Sequence, residues 1–182
     1  MSRKKIIALV ATSMKRISLL TKRAIKSIQE QTRIPDAIIV VDDNENQEYS
    51  TEINNTLSRI DKSIIFLKNT HTHGFSGTGA WNTGIDYIAK NYGKDSFIAI
   101  LDDDDSWDSE YLERCESQID SNSQAVFAFI ERSDCGVLQF TLDDLTVKNF
   151  LIGDPGVQGS NMFFRTEALL NIGCFDETLH SC

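Results

Sequence analysis

The sequence predicts an α/β fold in which helices flank a mostly parallel sheet. Across residues 5–101, apolar runs of strand length alternate with segments whose apolar side chains recur at helical spacing. Right-handed crossovers make the strands of such a β-α-β-α-β-α-β order parallel. With 182 residues and a hydrophobic fraction of 41%, the chain is large enough for one domain with a substantial core.

Four apolar runs predict the strands of this sheet: residues 5–12, 36–43, 63–69 and 96–101. Three intervening segments predict amphipathic helices: residues 18–31, 50–60 and 81–92. Leu20, Ala24 and Ile28 share one face of the first helix, and its lysine and arginine side chains lie opposite. Gly93 is placed to end the third helix, because glycine adopts the backbone conformation that commonly terminates helices.

Beyond residue 101 the alternation is less regular. Helix is predicted over residues 110–119, and a short helix or a loop over residues 143–151. Strands are predicted over residues 124–130, 136–141 and 161–165, and a short helix follows the last of them. No repeat, low-complexity tract or linker interrupts the chain, so we predict a single domain over residues 1–182.

Composition argues against several classes of protein. The net charge of -9 argues against a surface that binds nucleic-acid phosphates. The basic start lacks the apolar run of a signal peptide, and no stretch approaches the roughly 20 apolar residues of a transmembrane helix. The cysteines form no CxxC pair, and their spacing fits neither a zinc site nor a disulfide framework, so we predict reduced thiols and a cytoplasmic protein. These cysteines are Cys115, Cys135, Cys174 and Cys182.

Two acidic clusters lie where predicted strands end. Asp42 and Asp43 end the second strand, and residues 102–105 are consecutive aspartates directly after the fourth. Ligands of open α/β sheets bind outside the carboxyl ends of the strands. Two carboxylates about 4 Å apart repel by about 4 kcal/mol at an effective dielectric constant of roughly 20, so a cation should compensate them. Mg²⁺ or Mn²⁺ is the natural candidate, because it prefers carboxylate oxygen and can bridge to a substrate phosphate.

Side chains alternate along an extended backbone, which predicts that Asp102 and Asp104 point to one side and Asp103 to the other. One side could then hold a metal while the other reaches a sugar or a base. The alternative is that the acidic run is a solvated loop, as most such runs are. Its position directly after an apolar strand favours a site.

Four segments, in order, resemble the family 2 glycosyltransferases, which have the GT-A fold. Residues 6–32 resemble the opening strand, loop and helix of that family, and "AIIVVDDNEN" resembles its second strand and base-binding acid. "FIAILDDDDSW" resembles its DxD strand, and "GSNMFFRTEALLNIGCFDE" its acceptor-side segment. The resemblance implies a GT-A, Rossmann-like fold. It also implies an enzyme that transfers a sugar from a nucleotide-diphospho-sugar to a hydroxyl group with inversion.

The resemblance assigns roles by position. It implies that four residues bind the nucleotide sugar: Thr12, Asp42, Asp43 and Asp103. Asp43, with Asp42, would accept a hydrogen bond from the base, and Asp103 would lie near the ribose. It implies that two aspartates of the DxD element bind Mn²⁺ or Mg²⁺: Asp104, supported by Asp102. A UDP-sugar is the favoured donor, and the acceptor would be a saccharide or another hydroxyl compound.

The chain departs from the family pattern in the helix before the DxD strand. The family often has an arginine before an asparagine there, whereas this chain has Trp81 before Asn82. The resemblance therefore leaves one expected phosphate contact unassigned. His71, His73 or Lys68 could replace it, although solvated loop residues are the alternative interpretation.

The family's catalytic base is an acid some residues after the segment that matches "GCFDE", which places the base beyond Cys182. The resemblance therefore predicts a domain that is incomplete at its C-terminus. Residues 1–106 would form the nucleotide-sugar-binding half, and residues 107–182 an incomplete acceptor-side half. Asp176 and Glu177, in the matching segment, would lie near the acceptor.

Two other functions stay open at this point. Sugar-phosphate nucleotidyltransferases share a similar α/β layout, but they are expected to have a glycine-rich, basic loop after the first strand. The corresponding "ATSMKRIS" has basic residues and no glycine. The second alternative is a donor-binding module that keeps the fold without efficient transfer.

Overall fold

The computed structural model describes residues 3–13, 16–73, 77–153 and 155–178. Its strands are β1 Ile6–Thr12, β2 Ala37–Asp42, β3 Ile65–Lys68, β4 Phe97–Asp102, β5 Ala125–Phe127, β6 Ile130–Arg132, β7 Gly136–Leu138 and β8 Met162–Arg165. Its α-helices are α1 Ile17–Leu19, α2 Lys26–Gln29, α3 Gln47–Ile60, α4 Thr78–Tyr92, α5 Tyr111–Gln118, α6 Val147–Ile152 and α7 Thr166–Asn171. A π-helical turn, Leu20–Ile25, joins α1 to α2, and 3-10 turns span Leu142–Asp144 and Gly159–Asn161.

The main sheet has six strands in the order β3-β2-β1-β4-β8-β5. The first four in this order pair in parallel, and β8 is antiparallel to both β4 and β5. The fully buried residues of β1 and β4 alternate between two cores, one under α2, α3 and α5 and the other under α4 and α7. Helices therefore cover both faces, which explains why these strands are apolar at nearly every position. The predicted α/β fold with a mostly parallel sheet is confirmed.

The helix after β1 is less regular than its apolar spacing predicts. Its π-helical turn forms hydrogen bonds one residue wider than those of an α-helix. Leu20, Ala24 and Ile28, the three residues predicted to share a face, are nevertheless all fully buried. Ile25, next to Ala24, is fully buried as well, so this turn contributes two neighbouring residues to the core.

The C-terminal half differs in detail from the prediction. The strand expected over residues 124–130 is divided: β5 joins the main sheet, whereas β6 pairs with β7 in a separate hairpin. Residues 143–151 contribute to a 3-10 turn and to α6, whose Val147, Leu151 and Ile152 are largely exposed.

The cysteines and the helices bear on two further predictions from the sequence, reduced thiols and the lack of a transmembrane helix. Cys115, Cys135 and Cys174 carry free thiols, and Cys182 lies outside the described residues. Within the described ranges, none of the helices combines the length and the apolar character needed to cross a bilayer.

Candidate functional site

The carboxyl ends of β1, β2 and β4 bring the predicted site residues to one edge of the sheet. Thr12 pairs in register with Asp42, and Ala11, one residue earlier in β1, pairs with Asp102. The backbone N–H of Asp43 donates to the carbonyl oxygen of Thr12 at 2.8 Å. The two acidic clusters therefore flank the end of β1, one on each side.

Asp103 is buried at this edge, where Thr12 and Arg16 hold its carboxylate. Thr12 Oγ1 donates to Oδ2 of Asp103 at 2.7 Å, and Arg16 Nη1 donates to Oδ1 at 3.1 Å. Burial raises the pKa of Asp103, and the bonds from Thr12 and Arg16 oppose this rise without cancelling it. Arg16 Nη1 also donates to Oδ2 of Asp104 at 3.2 Å. One guanidinium group thus bridges two neighbouring carboxylates.

Asp102 and Asp105 form a second pair, which Ser160 joins. Ser160 Oγ lies 2.6 Å from Oδ2 of Asp105 and 3.3 Å from Oδ2 of Asp102. The alternation of side chains predicted for an extended segment does not apply here, because β4 ends at Asp102 and the chain turns. The N–H of Asp105 donates to the carbonyl oxygen of Asp102 at 3.2 Å and closes this turn. The aspartates consequently pair as 102 with 105 and as 103 with 104.

The surroundings of Asp102 fit a divalent cation. Burial, followed by the charges of Asp105 and Asp104, raises the pKa of Asp102 to about 6, so negative charge is in excess here. A Cβ atom at Gly159 would come within 2.8 Å of both carboxylate oxygens of Asp102, so the glycine leaves this carboxylate its space. Across the described ranges, no three His, Cys, Asp or Glu side chains converge on one point. A divalent cation bound at Asp102 would therefore have to take most of its ligands from water or phosphate.

Asp42 forms a buried ion pair at the end of β2. Its side chain has no exposed surface, and Lys68 Nζ lies 2.8 Å from Oδ2. The backbone N–H of Asn44 donates to Oδ1 at 3.1 Å. Burial alone would raise the pKa of Asp42, but the bonds from Lys68, Ser50 and Asn44 lower it. Asp42 is therefore ionised, and both of its oxygens are bonded within the protein.

Asp43 contacts two side chains that follow β3. His73 Nδ1 lies 2.6 Å from Oδ1 of Asp43, and Asn69 Nδ2 donates to the same oxygen. The side chain of Asp43 is only 7% exposed. Counting the described residues only, Oδ2 of Asp43 forms no hydrogen bond. Of the two acids at this strand end, Asp43 therefore keeps an oxygen that can accept a ligand hydrogen bond.

The basic residues considered for the missing phosphate contact bind acids of the protein. Lys68 and His73 hold the two acids at the end of β2, as described above. His71 Nε2 lies 3.0 Å from Oδ2 of Asp86, and its Nδ1 lies 2.8 Å from Oε1 of Glu177. The hydrogen bond with Asp86, aided by the charge of Glu177, raises the pKa of His71. In this arrangement all three basic residues contact acids of the protein.

Glu177 fastens the C-terminal segment to α4. Asn82 Nδ2 donates to Oε1 of Glu177 at 2.7 Å, and the N–H of Thr72 donates to Oε2 at 2.9 Å. Burial would raise the pKa of Glu177, but the bonds from Asn82 and Thr72 lower it to about 2. A carboxylate with so low a pKa, engaged in several hydrogen bonds, is a poor general base near neutral pH.

A cleft of about 600 Å³ lies beside Glu177, between α4 and residues 172–177. His71, Asn82 and Asp86 line it, and none of the six predicted site residues does. We locate the candidate site at the carboxylates, because they lie at the carboxyl ends of the parallel strands, where open α/β sheets bind their ligands.

Three residues of this edge escape sequence reasoning: Arg16, Gly159 and Ser160. Arg16 is visible only as one of several basic residues after β1. Gly159 and Ser160 begin a 3-10 turn that packs against the end of β4, far away in sequence. No local pattern signals that contact.

Comparison with known families identifies the class of protein. The residues described above lie at the carboxyl edge of a parallel sheet, which is where open α/β sheets bind their ligands. The family model described as glycosyl transferase family 2 matches residues 15–177. The chain therefore belongs to glycosyl transferase family 2, and the resemblance drawn from its four segments is confirmed. The two alternative functions are not favoured.

Solved structures share the fold. A mannosyltransferase, PcManGT from Pyrobaculum calidifontis in complex with GDP-Man and Mn²⁺, matches 97% of the chain with a TM-score of 0.66 and 18% identity. TarS 1-349 from S. aureus in complex with UDP-GlcNAc matches 98% with a TM-score of 0.68 and 20% identity. A 4-diphosphocytidyl-2C-methyl-D-erythritol synthase matches 97% with a TM-score of 0.57 and 15% identity.

The chain spans 49% of the mannosyltransferase, 50% of TarS 1-349 and 83% of the synthase. At these identities the likeness shows the fold alone. Comparison with curated protein sequences finds no significant match.

Proposed function

We propose that this chain binds a nucleotide-diphospho-sugar at the carboxyl edge of its sheet and transfers the sugar to an acceptor hydroxyl with inversion. The observation that carries the proposal is the convergence of Thr12, Asp43 and residues 102–105 around the end of β1. Membership of glycosyl transferase family 2 supports it. Complexes of similarly folded proteins with GDP-Man and Mn²⁺, and with UDP-GlcNAc, support it further.

Asp43 would recognise the base. A carboxylate only accepts hydrogen bonds, so it suits an imide N–H such as that of uracil, which favours a UDP-sugar. Asp42 would contribute indirectly, because its oxygens are bonded to Lys68 and Asn44 and its side chain has no exposed surface. This ion pair would fix the end of β2 and thereby the position of Asp43.

The second acidic cluster would hold the ribose and the diphosphate. Asp103, fixed by Thr12 and Arg16, would accept a hydrogen bond from a ribose hydroxyl. Asp104 and Asp102 fall in different pairs but are close enough that, in addition to burial, the charge of Asp104 helps to raise the pKa of Asp102. Together they would bind Mn²⁺ or Mg²⁺, and the ion would stabilise negative charge on the departing nucleoside diphosphate. Arg16 would have to share or release Asp104 when the donor enters, because its guanidinium contacts that carboxylate.

Neither acid of the matching acceptor-side segment suits the role of the base. Glu177 has a pKa of about 2 and is held by Asn82 and Thr72. Asp176 accepts hydrogen bonds from the side chain and the N–H of Thr178, which lower its pKa. We therefore propose that another carboxylate deprotonates the acceptor hydroxyl. Its position beyond Cys182 stays a prediction.

A thermal-shift panel tests donor binding. UDP-, GDP- and dTDP-sugars are each added with and without Mn²⁺, and we expect the UDP-sugar with Mn²⁺ to raise Tm most. Asp104→Asn and Asp43→Asn should each reduce this shift, because the amide lacks the negative charge of the carboxylate and replaces one acceptor oxygen with an NH₂ donor. Asp134→Asn is the matched control, since Asp134 is an exposed aspartate in the turn between β6 and β7.

Two results would contradict the proposal. One is the absence of stabilisation by any nucleotide sugar in the presence of Mn²⁺. The other is an Asp104→Asn variant that responds to donor and metal as fully as the wild-type protein and the Asp134→Asn control do.

A further inference from the structure

Trp81 has a buried hydrogen-bond donor without an acceptor. The residue is 8% exposed, and among the described residues its Nε1–H has no hydrogen-bond partner. Buried N–H groups in native proteins are nearly always bonded, and an indole can only donate. The second tryptophan, Trp107, follows this rule, since its Nε1 donates to the carbonyl oxygen of Ser160 at 2.8 Å. Trp81 therefore awaits an acceptor that the described protein does not supply.

Ring atom Cζ2 of Trp81, which neighbours the orphaned N–H in the indole, lies beside Gly159 at the acidic edge. A Cβ atom at Gly159 would lie 3.0 Å from Cζ2 of Trp81 and 2.8 Å from the carboxylate oxygens of Asp102. Cζ2 and Nε1 are bonded to the same ring atom, so they share one edge of the indole. Gly159 thus lies between this edge of the indole and the Asp102 carboxylate, and it has no side chain to separate them further.

The ring is held in this orientation from the other side. Trp81 packs against Phe175 with ring centroids 5.1 Å apart. Asn82 fixes Phe175 through two bonds to its backbone, at 2.9 Å to the carbonyl oxygen and 3.0 Å from the N–H. The donor is therefore positioned before any ligand arrives, which reduces the entropy lost on binding.

The charge at this corner indicates which acceptor fits. Trp81 lies in the first turn of α4, a helix of 15 residues. Its backbone N–H, unlike the indole N–H, donates to the carbonyl oxygen of Gly77 at 2.9 Å. The N-terminus of a helix favours anions, because its first N–H groups lack intrahelical partners and carry partial positive charge. A Cβ atom at Gly77 would lie 3.5 Å from Cβ of Ala11, whose register partner in β4 is Asp102. The helix therefore begins beside the acidic edge.

We propose that Nε1–H of Trp81 donates a hydrogen bond to an oxygen of the donor's diphosphate. The inference rests on the proposed function, since it adds a contact to the same bound nucleotide. An anionic oxygen would satisfy the orphaned donor and suit the helix N-terminus, and the divalent cation proposed at Asp102 would offset the repulsion from that carboxylate. Trp81 is then a donor-binding residue that recognises phosphate through a neutral side chain.

Indole resonances in ¹H–¹⁵N NMR spectra test the contact directly, because the chain has 2 tryptophans and Trp107 serves as the internal reference. UDP with Mg²⁺, GDP with Mg²⁺ and uridine are titrated into the protein, and Trp81→Phe assigns the peaks. We expect UDP to move the Trp81 indole proton downfield and to leave the Trp107 proton nearly in place. Uridine, which lacks phosphate, should move neither.

Calorimetry supplies the second measurement. Trp81→Phe keeps an aromatic ring against Phe175 and removes the N–H, so the Kd for UDP should rise about tenfold, equivalent to about 1.4 kcal/mol. The Kd for uridine should not change. The NMR result does not depend on the variant, so a loss of packing in Trp81→Phe cannot hide the outcome.

Each remaining outcome overturns the inference in a recognisable way. If the wild-type protein binds UDP while the Trp81 proton stays in place, or if Trp81→Phe binds UDP equally well, the contact is absent and the proposed function stands. A Trp81 shift caused by uridine alone assigns the contact to the nucleoside instead of the diphosphate. If neither UDP nor GDP binds, the proposed function fails and the inference fails with it.

Discussion

Replacing Arg16 with glutamine tests whether this arginine acts as the built-in counter-ion of the second acidic cluster. The Arg16 side chain is 39% exposed, whereas its partners Asp103 and Asp104 are 5% and 41% exposed. A hydrogen bond to a charged group contributes about 1.5–3 kcal/mol, and an exposed ion pair about 0.2–1 kcal/mol. Allowing for solvent screening of Arg16, we expect the free energy of unfolding to fall by about 1–2 kcal/mol at pH 7.

The pH dependence of this loss identifies its cause. Burial raises the pKa of Asp103 in the folded protein, and the loss of Arg16 should raise it further. An acid whose folded pKa is raised destabilises the fold at high pH, where it is charged, and this penalty disappears as it becomes protonated. The deficit of Arg16→Gln should therefore be complete at pH 7. It should shrink as the pH falls through the raised folded pKa values towards 3.8.

Arg16→Gln should weaken the fold but strengthen the binding of metal. Mn²⁺ no longer competes with a guanidinium group in the variant, so calorimetry should show binding about three- to tenfold tighter than in the wild-type protein. Arg114→Gln is the control, because Arg114 pairs with Glu110 on the exposed surface of α5 and the charge change is the same. Urea unfolding between pH 3 and pH 7 measures the stability. A deficit that does not vary with pH, or weaker Mn²⁺ binding, would refute the reasoning.

Three further predictions concern the elements around the site. Lys68→Met should lower the free energy of unfolding by about 2–3 kcal/mol, because it leaves the Asp42 carboxylate buried without its cation. Urea unfolding at pH 7 measures this loss, and an unchanged midpoint would contradict it. Glu177→Gln should cost about 1 kcal/mol after allowance for solvent, with the loss complete above pH 4.5 and vanishing as the pH falls through about 2; equal losses at both extremes would exclude the carboxylate as the cause. Gly159→Ala should overpack against Asp102, which should lower Tm at a cost of about 1–3 kcal/mol and weaken Mn²⁺ binding in calorimetry. An alanine variant that melts and binds like the wild-type protein would contradict the close contact.

Much of the fold could be predicted because the signals for it are local. A strand buried on both faces is apolar at nearly every position. The apolar runs at residues 5–12, 36–43 and 96–101 therefore predict β1, β2 and β4. Residues 124–130 show the limit of this reasoning. They are predicted as one strand, but pairing with β8 ends at Phe127, and Ile130 already belongs to a separate hairpin. Where a strand stops depends on its partner, which a local pattern does not contain.

The site divides in the same way. The sequence alone determined that aspartates follow β2 and β4, because apolar runs and the acids that end them are neighbours along the chain. Only the tertiary structure decided that Asp42 is an internal counter-ion while Asp43 keeps an acceptor oxygen. It also decided that Arg16 bridges two carboxylates and that the indole N–H of Trp81 has no hydrogen-bond partner among the described residues. Those outcomes depend on groups brought together from distant segments by the packing of helices and turns around the sheet, and periodicity along the chain carries no record of that packing.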